Sequence, residues 1–458
     1  DLINDLNNIS LYSSIKDTKI KFTSKQVTTL KSFLKNMWNE KIVNFTENKK
    51  VLHHSCRFYP KNINFSKSKN NLIDNEITNM FSVASKIRTN NYEEITDIIH
   101  VGTGGSNLGP KLIYDCFKHN VSGPKCHFIS NLDPSPLSNL LKILNPSKTL
   151  IFITSKSFTT LETITNLRRI RSWIKKSGSV SKNLNNIFAV TSSYDLAISN
   201  QFKPENIILF NENIGGRFSI WSAANIISAI VFGPDFFINF LLGGHSIDEQ
   251  VYKHFEKSIP FSLSEISIFS KLNSNIFSHC IVPYSENLKL LPSYLQQLVM
   301  ESNGKSLDYH GNFTQSPCTN IFGYPGTDAQ HSFFQSLHQS TLKTSIDLIS
   351  FKSLQDDHHY IDKNLDDYAF KLLNLNCYAQ YEAFKNGDKN FQPKHAHESI
   401  PGKKTVNYFI FDQLNAYTLG QIICIYEYKT IIEAALSGTN PFDQFGVELS
   451  KKIVNKLI

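Results

Sequence analysis

Two short stretches of the chain carry residue types suited to holding an anion. Gly102-Thr103-Gly104-Gly105-Ser106-Asn107-Leu108-Gly109-Pro110 follows an apolar run. Its glycines let the backbone approach a ligand closely. A helix starting there offers unpaired N–H groups and the positive end of a dipole. Ser155-Lys156-Ser157-Phe158-Thr159-Thr160-Leu161-Glu162 sets four hydroxyls and one ammonium within six residues. Thr159-x-x-Glu162 fits a capping box, which accounts for one hydroxyl but not for four beside a lysine. Hydroxyls and backbone amides together suit a single phosphate monoester. A plain βα turn is the alternative for the first stretch. A dinucleotide fingerprint needs glycine where Asn107 stands, although Asp133 sits where a ribose-binding acid would lie. The absence of G-x-x-x-x-G-K-[ST] disfavours a nucleoside triphosphate.

Three later segments add acid–base chemistry. Gly215-Gly216-Arg217-Phe218-Ser219-Ile220-Trp221-Ser222 places an arginine on a glycine pair. Gln296-Gln297-Leu298-Val299-Met300-Glu301-Ser302-Asn303-Gly304-Lys305 reads as the end of a helix that starts after Pro292, with Gly304 as the residue just past its terminus. A carboxylate at Glu301 would oppose the helix dipole by ~0.3–1 kcal/mol. That suits a general base, the alternative being a solvated surface glutamate. Phe442-Asp443-Gln444-Phe445-Gly446-Val447-Glu448-Leu449-Ser450-Lys451 reads as the opening of the C-terminal helix. Gln444 and Lys451 are seven residues apart, two helical turns, so both would face one site. His331, Gln335 and His338 look like a metal set, but the histidines are seven apart where a helical clasp prefers three or four. His395-Ala396-His397-Glu398 lies in a polar stretch between Pro393 and Pro401 and reads as a loop.

The elements that must position these residues follow from the apolar pattern. Residues 95–101, 127–130, 150–154 and 187–191 are short, rich in Ile, Val and Phe, and not alternating, as in strands buried on both faces. Helix-like stretches between them predict a doubly wound α/β sheet. Loops at the carboxyl ends of its strands gather on one edge, so both phosphate stretches are expected to hold one anion. From about Phe232 onward a second, more helical α/β unit is expected. The polar run 61–71 reads as a linker. Residues 219–244 resemble a membrane span, but Gly233, Pro234 and Asp235 split them, so buried helix is expected.

Composition bounds the class. Of 458 residues, 41% are hydrophobic and 19% charged, which excludes a disordered chain, a coiled coil and a collagen. The net charge of +8 is too dilute to argue for nucleic acid and fits an anionic substrate. Seven scattered cysteines without C-x-x-C point away from zinc and disulfides, towards a reducing compartment. No secretory leader is expected. The chain opens on Asp1 and not Met, so its true start is expected upstream.

Taken together and in order, these motifs resemble the glucose-6-phosphate isomerase family. The likeness extends from Asn44-Phe45-Thr46-Glu47 and Val51-Leu52-His53-His54-Ser55-Cys56-Arg57, through Gly326-Thr327-Asp328-Ala329-Gln330-His331-Ser332-Phe333 and Leu337-His338-Gln339, to Lys451. It implies two α/β/α sandwich domains of the sugar-isomerase (SIS) type with mostly parallel sheets. The smaller would span 67–230 with the phosphate loops. The larger would be built from 1–66 and 231–458. It further implies reversible conversion of glucose 6-phosphate to fructose 6-phosphate without metal or cofactor, in a cytoplasmic homodimer of glycolysis and gluconeogenesis whose sites are completed across the dimer. On this resemblance Glu301 moves a proton between C1 and C2, and Arg217 stabilises the enediolate. His338 and Lys451 open the sugar ring. Gly105, Ser106, Ser155, Lys156, Ser157 and Thr160 hold the phosphate, with Gln444 against it or the loop around it.

The chain departs from the family pattern in places. Pro401-Gly402-Lys403-Lys404-Thr405-Val406 stands where a G-N-R-P-type stretch is usual, and the loop is expected to be freer. Tyr324 in Gly323-Tyr324-Pro325-Gly326-Thr327 replaces a carboxylate, and Ser157 replaces a threonine. Both ends are shorter than in relatives, and a weaker dimer and slower catalysis are the expected consequences. A non-catalytic sugar-phosphate sensor would need the phosphate loops but has no use for Glu301, Arg217, His338 and Lys451 together. Side activity on mannose 6-phosphate stays open.

Overall fold

The computed structural model describes residues 2–6, 8–15, 22–58, 71–90, 95–121, 123–178, 186–355, 359–389 and 393–457. The expected linker at 61–71 lies outside these residues except for Asn71, which opens a helix (Asn71–Asn90). Two compact units emerge. One comprises Asp1–Met37, Ile42–Lys49 and Ser246–Ile458, and the other Trp38–Lys41 and Lys50–His245. The expected small domain, 67–230, lies inside the second unit.

Strands β1 (Leu2–Leu6) and β2 (Ile9–Ser13) open the chain as an antiparallel pair. Burial alternates along β2, with Ile9 and Leu11 fully inside. That period-2 pattern is only five residues long, which is why the pair was not legible beforehand.

The second unit is built on β3 (Asp97–Gly102), β4 (Lys125–Ile129), β5 (Thr149–Thr154), β6 (Ile187–Thr191) and β7 (Ile207–Leu209). All are parallel, in the order β4-β3-β5-β6-β7. Every residue of β5 is buried, as a strand covered on both faces requires. Helices α1 (Gly105–Phe117) and α2 (Leu161–Lys176) follow β3 and β5. A core of Ile99, Val101, Ile151, Ile153, Leu167 and Ile170 joins α2 to the sheet. Residues 219–244 form 3₁₀ turns and then helix Ile226–Phe232. Gly233, at φ 97°, separates this from helix Pro234–Lys253. Among the described residues no helix is long and apolar enough to cross a membrane.

In the first unit, β8 (Ser278–Pro283), β9 (Asn320–Phe322), β10 (Thr344–Ser353) and β11 (Val406–Gln413) pair in parallel. With the antiparallel β1 and β2 they make a six-stranded sheet, β1-β2-β11-β10-β8-β9. The helices that matter below are α3 (Ile259–Ser274), α4 (Phe334–Gln339), α5 (Lys363–Asn386), α6 (Ala416–Leu436) and α7 (Glu448–Leu457). Helix α6 is buried nearly all round and carries no apolar stripe, as expected of a central helix. Its Tyr426 donates to the buried Asp347 of β10 at 2.7 Å, and its Tyr428 to Asp248 at 2.6 Å. Two mostly parallel sheets covered by helices thus match the α/β architecture that the resemblance implied.

The loop 401–406 is tied to the end of α5. Lys403 and Lys404 donate their backbone N–H groups to Lys385 and Phe384 at the end of α5, at 3.0 and 2.9 Å. Gly402 takes φ 61° and lies so close to Gly387 that a side chain on either would overlap the other backbone. Two hydrogen bonds and this close packing hold the loop against the end of α5.

Candidate active site

The phosphate stretches sit where an open α/β sheet binds ligands. In the second unit β4 lies on one side of β3 and β5 on the other, so the strand order reverses between β3 and β5. A crevice at the carboxyl ends of the strands opens at such a point. Gly102 and Thr154, the last residues of the two strands, are register partners. The two loops that follow are therefore neighbours by construction.

The first loop turns sharply. Gly104 takes φ 58°, a left-handed conformation that favours glycine, and caps α1 without a side-chain bond. Gly105 packs so closely on the Gly216 carbonyl and the Arg217 amide that a Cβ would overlap them. This brings the Gly215–Gly216–Arg217 segment against the N-terminus of α1. Beneath the loop, the His100 Nε2–H donates to the Ser106 carbonyl at 2.8 Å. His100 is fully buried, and burial pushes its pKa down to about 4, so at neutral pH it is an uncharged donor.

The second loop is held by its own side chains. The Ser155 hydroxyl accepts from the Phe158 amide at 3.1 Å, and Phe158 takes φ 49° with its ring buried against Phe202. A left-handed bulky residue is uncommon and costs conformational energy, which the packing of the ring offsets. The capping box does not form. Thr159 Oγ1 bonds Ser157 Oγ at 2.7 Å, and Thr160, the N-cap of α2, makes no side-chain capping bond. Hydroxyls in this loop are thus not used up by the helix. Lys156 Nζ donates to the Ile214 carbonyl at 3.2 Å, tying the loop to the segment just before Gly215. Gly105, Ser106, Ser155, Lys156, Ser157, Thr160 and Arg217 are all brought to one side of this unit. Arg217 is buried, with its guanidinium 5.3 Å from the Phe218 ring.

Glu301, His338, Gln444 and Lys451 belong to the first unit. Helix Leu291–Leu295 runs directly into a π-turn, Gln296–Glu301, and Glu301 closes it. A π-turn inserts an extra residue into the hydrogen-bond ladder and re-aims the side chain that follows, a device frequent at functional sites. Glu301 is half-buried. Gly304 stands just past the last helical residue, as expected, without taking a left-handed conformation. Its N–H bonds the Met300 carbonyl at 2.9 Å, and glycine is required because a Cβ would overlap that oxygen.

His338 sits on α4. Its Nε2 bonds Gln380 Oε1 at 2.8 Å, and its ring stacks on Phe384, centroids 4.2 Å apart. Burial holds its pKa below the ordinary histidine value. Lys451 is exposed on the first turn of α7, paired with Glu448 at 2.7 Å. The shared helical face of Gln444 and Lys451 is not realised. Gln444 precedes a 3₁₀ turn, Phe445–Val447, and α7 begins only at Glu448. His338 and Lys451 hold separate partners on separate elements.

Among the described residues no group of three His, Cys, Asp or Glu side chains could hold a metal ion. His331 is exposed, and Ala396–Glu398 is a 3₁₀ turn. A cavity of about 680 Å³ opens beside Lys352, Gln355, Tyr360, Lys371 and Gln413, and no candidate residue lines it. Sequence reasoning missed His100 and gave Lys305 no role. The signal for the first was a histidine inside an otherwise apolar strand just before the glycines.

The fold and the loops define a two-unit α/β protein with a glycine-bearing loop and a hydroxyl-bearing loop at a topological switch point. Comparison narrows this. A family model described as phosphoglucose isomerase matches residues 11–458. The chain is 32% identical to a glucose-6-phosphate isomerase of Acinetobacter baumannii over 95% of its length and 81% of the relative's. A glucose-6-phosphate isomerase of Bartonella bacilliformis is 33% identical, with 92% and 80% covered. The crystal structure of a glucose-6-phosphate isomerase from Chlamydia trachomatis superposes with a TM-score of 0.87 at 25% identity, covering 98% of this chain and 88% of that one. The chain belongs to the phosphoglucose isomerase family.

Proposed function

We propose that the chain is an active aldose–ketose isomerase that interconverts glucose 6-phosphate and fructose 6-phosphate. The observation that carries this is the match to the family across residues 11–458, with every candidate residue present. A non-catalytic sensor is disfavoured because four chemically matched side chains would have no work in it. In this reading the loops at β3 and β5 anchor the phosphate through Gly105, Ser106, Ser155, Lys156, Ser157 and Thr160. Lys451 and His338 exchange protons with the ring oxygen and the C1 hydroxyl to open the sugar. Glu301 takes the proton from C2 of the aldose and returns it at C1, giving the ketose. Arg217, a fixed cation, stabilises the enediolate more than the substrate. Gln444 lies, in this reading, against the phosphate or the loop around it. No cofactor enters these steps.

The setting is a cytoplasmic homodimer working in glycolysis and gluconeogenesis. All seven cysteines are free, which supports a reducing compartment. Leu365, Tyr368, Leu372 and Leu375 on α5, and Leu449, Ile453 and Leu457 on α7, are exposed in the single chain, apolar area that a second copy would cover.

The test is Glu301→Gln, which keeps size and hydrogen bonding but removes the base. Isomerisation and uptake of solvent deuterium at C1 or C2 should fall together by about 10²–10⁴-fold. Substrate binding and interconversion of the ring anomers should persist. Near-parent turnover with deuterium uptake intact would place the base elsewhere.

A further inference from the structure

Lys305 follows Glu301 by four residues, just past the end of its helix, and its ammonium is fully committed. One N–H donates to the Glu301 carbonyl at 3.1 Å, another to Ser302 at 2.6 Å, and the third to Asn440 at 2.8 Å. The first two are carbonyls of the last turn of the helix that carries Glu301, where an α-helix has no acceptors' partners of its own. The third lies four residues before Gln444. Asp443 Oδ1 stands 3.4 Å from the same ammonium, and both side chains are largely buried.

The Asn44–Glu47 motif backs this junction. Thr46 Oγ1 donates to Asp443 Oδ2 at 2.5 Å. Asn440 Nδ2 donates to Asn44 Oδ1 at 2.8 Å and to Thr46 Oγ1 at 2.6 Å. Asn44 Nδ2 donates to Glu47 Oε2 at 2.6 Å, and the turn is closed by paired backbone bonds between Asn44 and Lys49. A motif distant in sequence from every candidate catalytic residue is thus wired, through Asp443 and Asn440, to the lysine under Glu301.

We propose that Lys305, held by Asp443 and the Asn44–Glu47 turn, is a positioning residue. It fixes the end of the Glu301 helix against the Asn440–Gln444 segment, and so fixes the Glu301 carboxylate relative to the substrate carbon it serves. The proposal rests on Glu301 being the base. A network whose members are all satisfied rigidifies a site, and a base displaced by about 1 Å can lose on the order of 100-fold in rate. Lys305 touches no reacting atom in this scheme.

The test compares Lys305→Met, Thr46→Val and the double variant Lys305→Met/Asp443→Asn with the parent enzyme. A misplaced base fails in the transition state and not in ground-state binding. Lys305→Met should therefore lower kcat by about 10–100-fold with KM for fructose 6-phosphate nearly unchanged. It should also change the ratio of solvent label exchange to C1–C2 proton transfer. That ratio does not depend on how much of the protein is folded, so a loss of folded enzyme cannot mimic the result. Thr46→Val, one bond further out, should give the same split in smaller measure. The double variant leaves no unpaired carboxylate, so it tests the proposal even where Lys305→Met folds poorly; it should be no slower than Lys305→Met. An unchanged exchange-to-transfer ratio in Lys305→Met, or in the double variant, would overturn the proposal. Additive losses in the double variant would do the same. Glu301→Gln measured in parallel separates the two readings. If it is fully active, the base assignment fails; if it is inactive while the Lys305 variants match the parent, only the positioning role fails.

Discussion

A buried histidine under the phosphate loop links one residue to the pH range of the fold. His100 has an ordinary pKa near 6.5 when unfolded and about 4 when native, because burial disfavours its charged form. A histidine with a lowered native pKa stays neutral while the unfolded chain takes up a proton. Stability is thus whole above the unfolded pKa and falls as pH drops from about 6.5 to about 4. Over that window the loss is about 3 kcal/mol. His100→Gln keeps a donor for the Ser106 carbonyl and cannot titrate. Its melting temperature should fall less steeply with acid than the parent's between pH 7 and 4. Parallel curves for the two proteins would show that His100 does not report the loop's environment. His338 is lowered in the same direction, again by burial.

Between elements, a buried ionic cluster joins α3 to α6. Glu433 is fully buried and lies 2.6 Å from Lys429 and 3.5 Å from Lys271, which also donates to the Pro317 carbonyl. Burial alone would raise the Glu433 carboxyl. Its two lysines more than offset this and hold it below the ordinary carboxylate range. Removing one member strands buried charge, which typically costs about 3–5 kcal/mol. Glu433→Ala should lower the melting temperature markedly, whereas breaking the exposed Lys253–Glu249 pair should change it little. Equal effects in calorimetry would mean the cluster is solvated. The same helix α6 explains why the second half of the chain was hard to parse. An element buried on all sides shows no amphipathic period.

Assembly belongs to the scale of the whole molecule. Each unit has its own sheet and its own core, one around Ile151 and Leu167, the other around Val282, Leu348 and Phe384. The exposed Leu365, Tyr368, Leu372 and Leu375 of α5 and Leu449, Ile453 and Leu457 of α7 lie outside both cores. Sedimentation of the purified protein should give about twice the chain mass under assay conditions, with activity falling as the dimer dissociates on dilution. A fully active monomer would remove the dimer from the proposed function and with it the role of a second copy in completing the site.

The division between what the sequence determined and what folding decided follows from range. Strands β3, β5 and β6 were legible because a strand buried on both faces is a continuous apolar run, and the two phosphate loops because glycine and hydroxyl clusters act over a few residues. Ordered motifs from Asn44 to Lys451 carried the family and its chemistry. Tertiary structure alone decided matters that depend on distant partners. The capping box lost to a bond between Ser157 and Thr159 because the loop is pinned by Ser155 and Phe158. Gly304 proved to be a contact glycine because the last helical turn places the Met300 carbonyl where a Cβ would stand. Gln444 left the helix of Lys451 because the segment before it is tied to Lys305 and Thr46. The reach from Thr46 to Asp443 spans most of the chain, and no local pattern encodes a hydrogen bond between residues that only the fold makes neighbours.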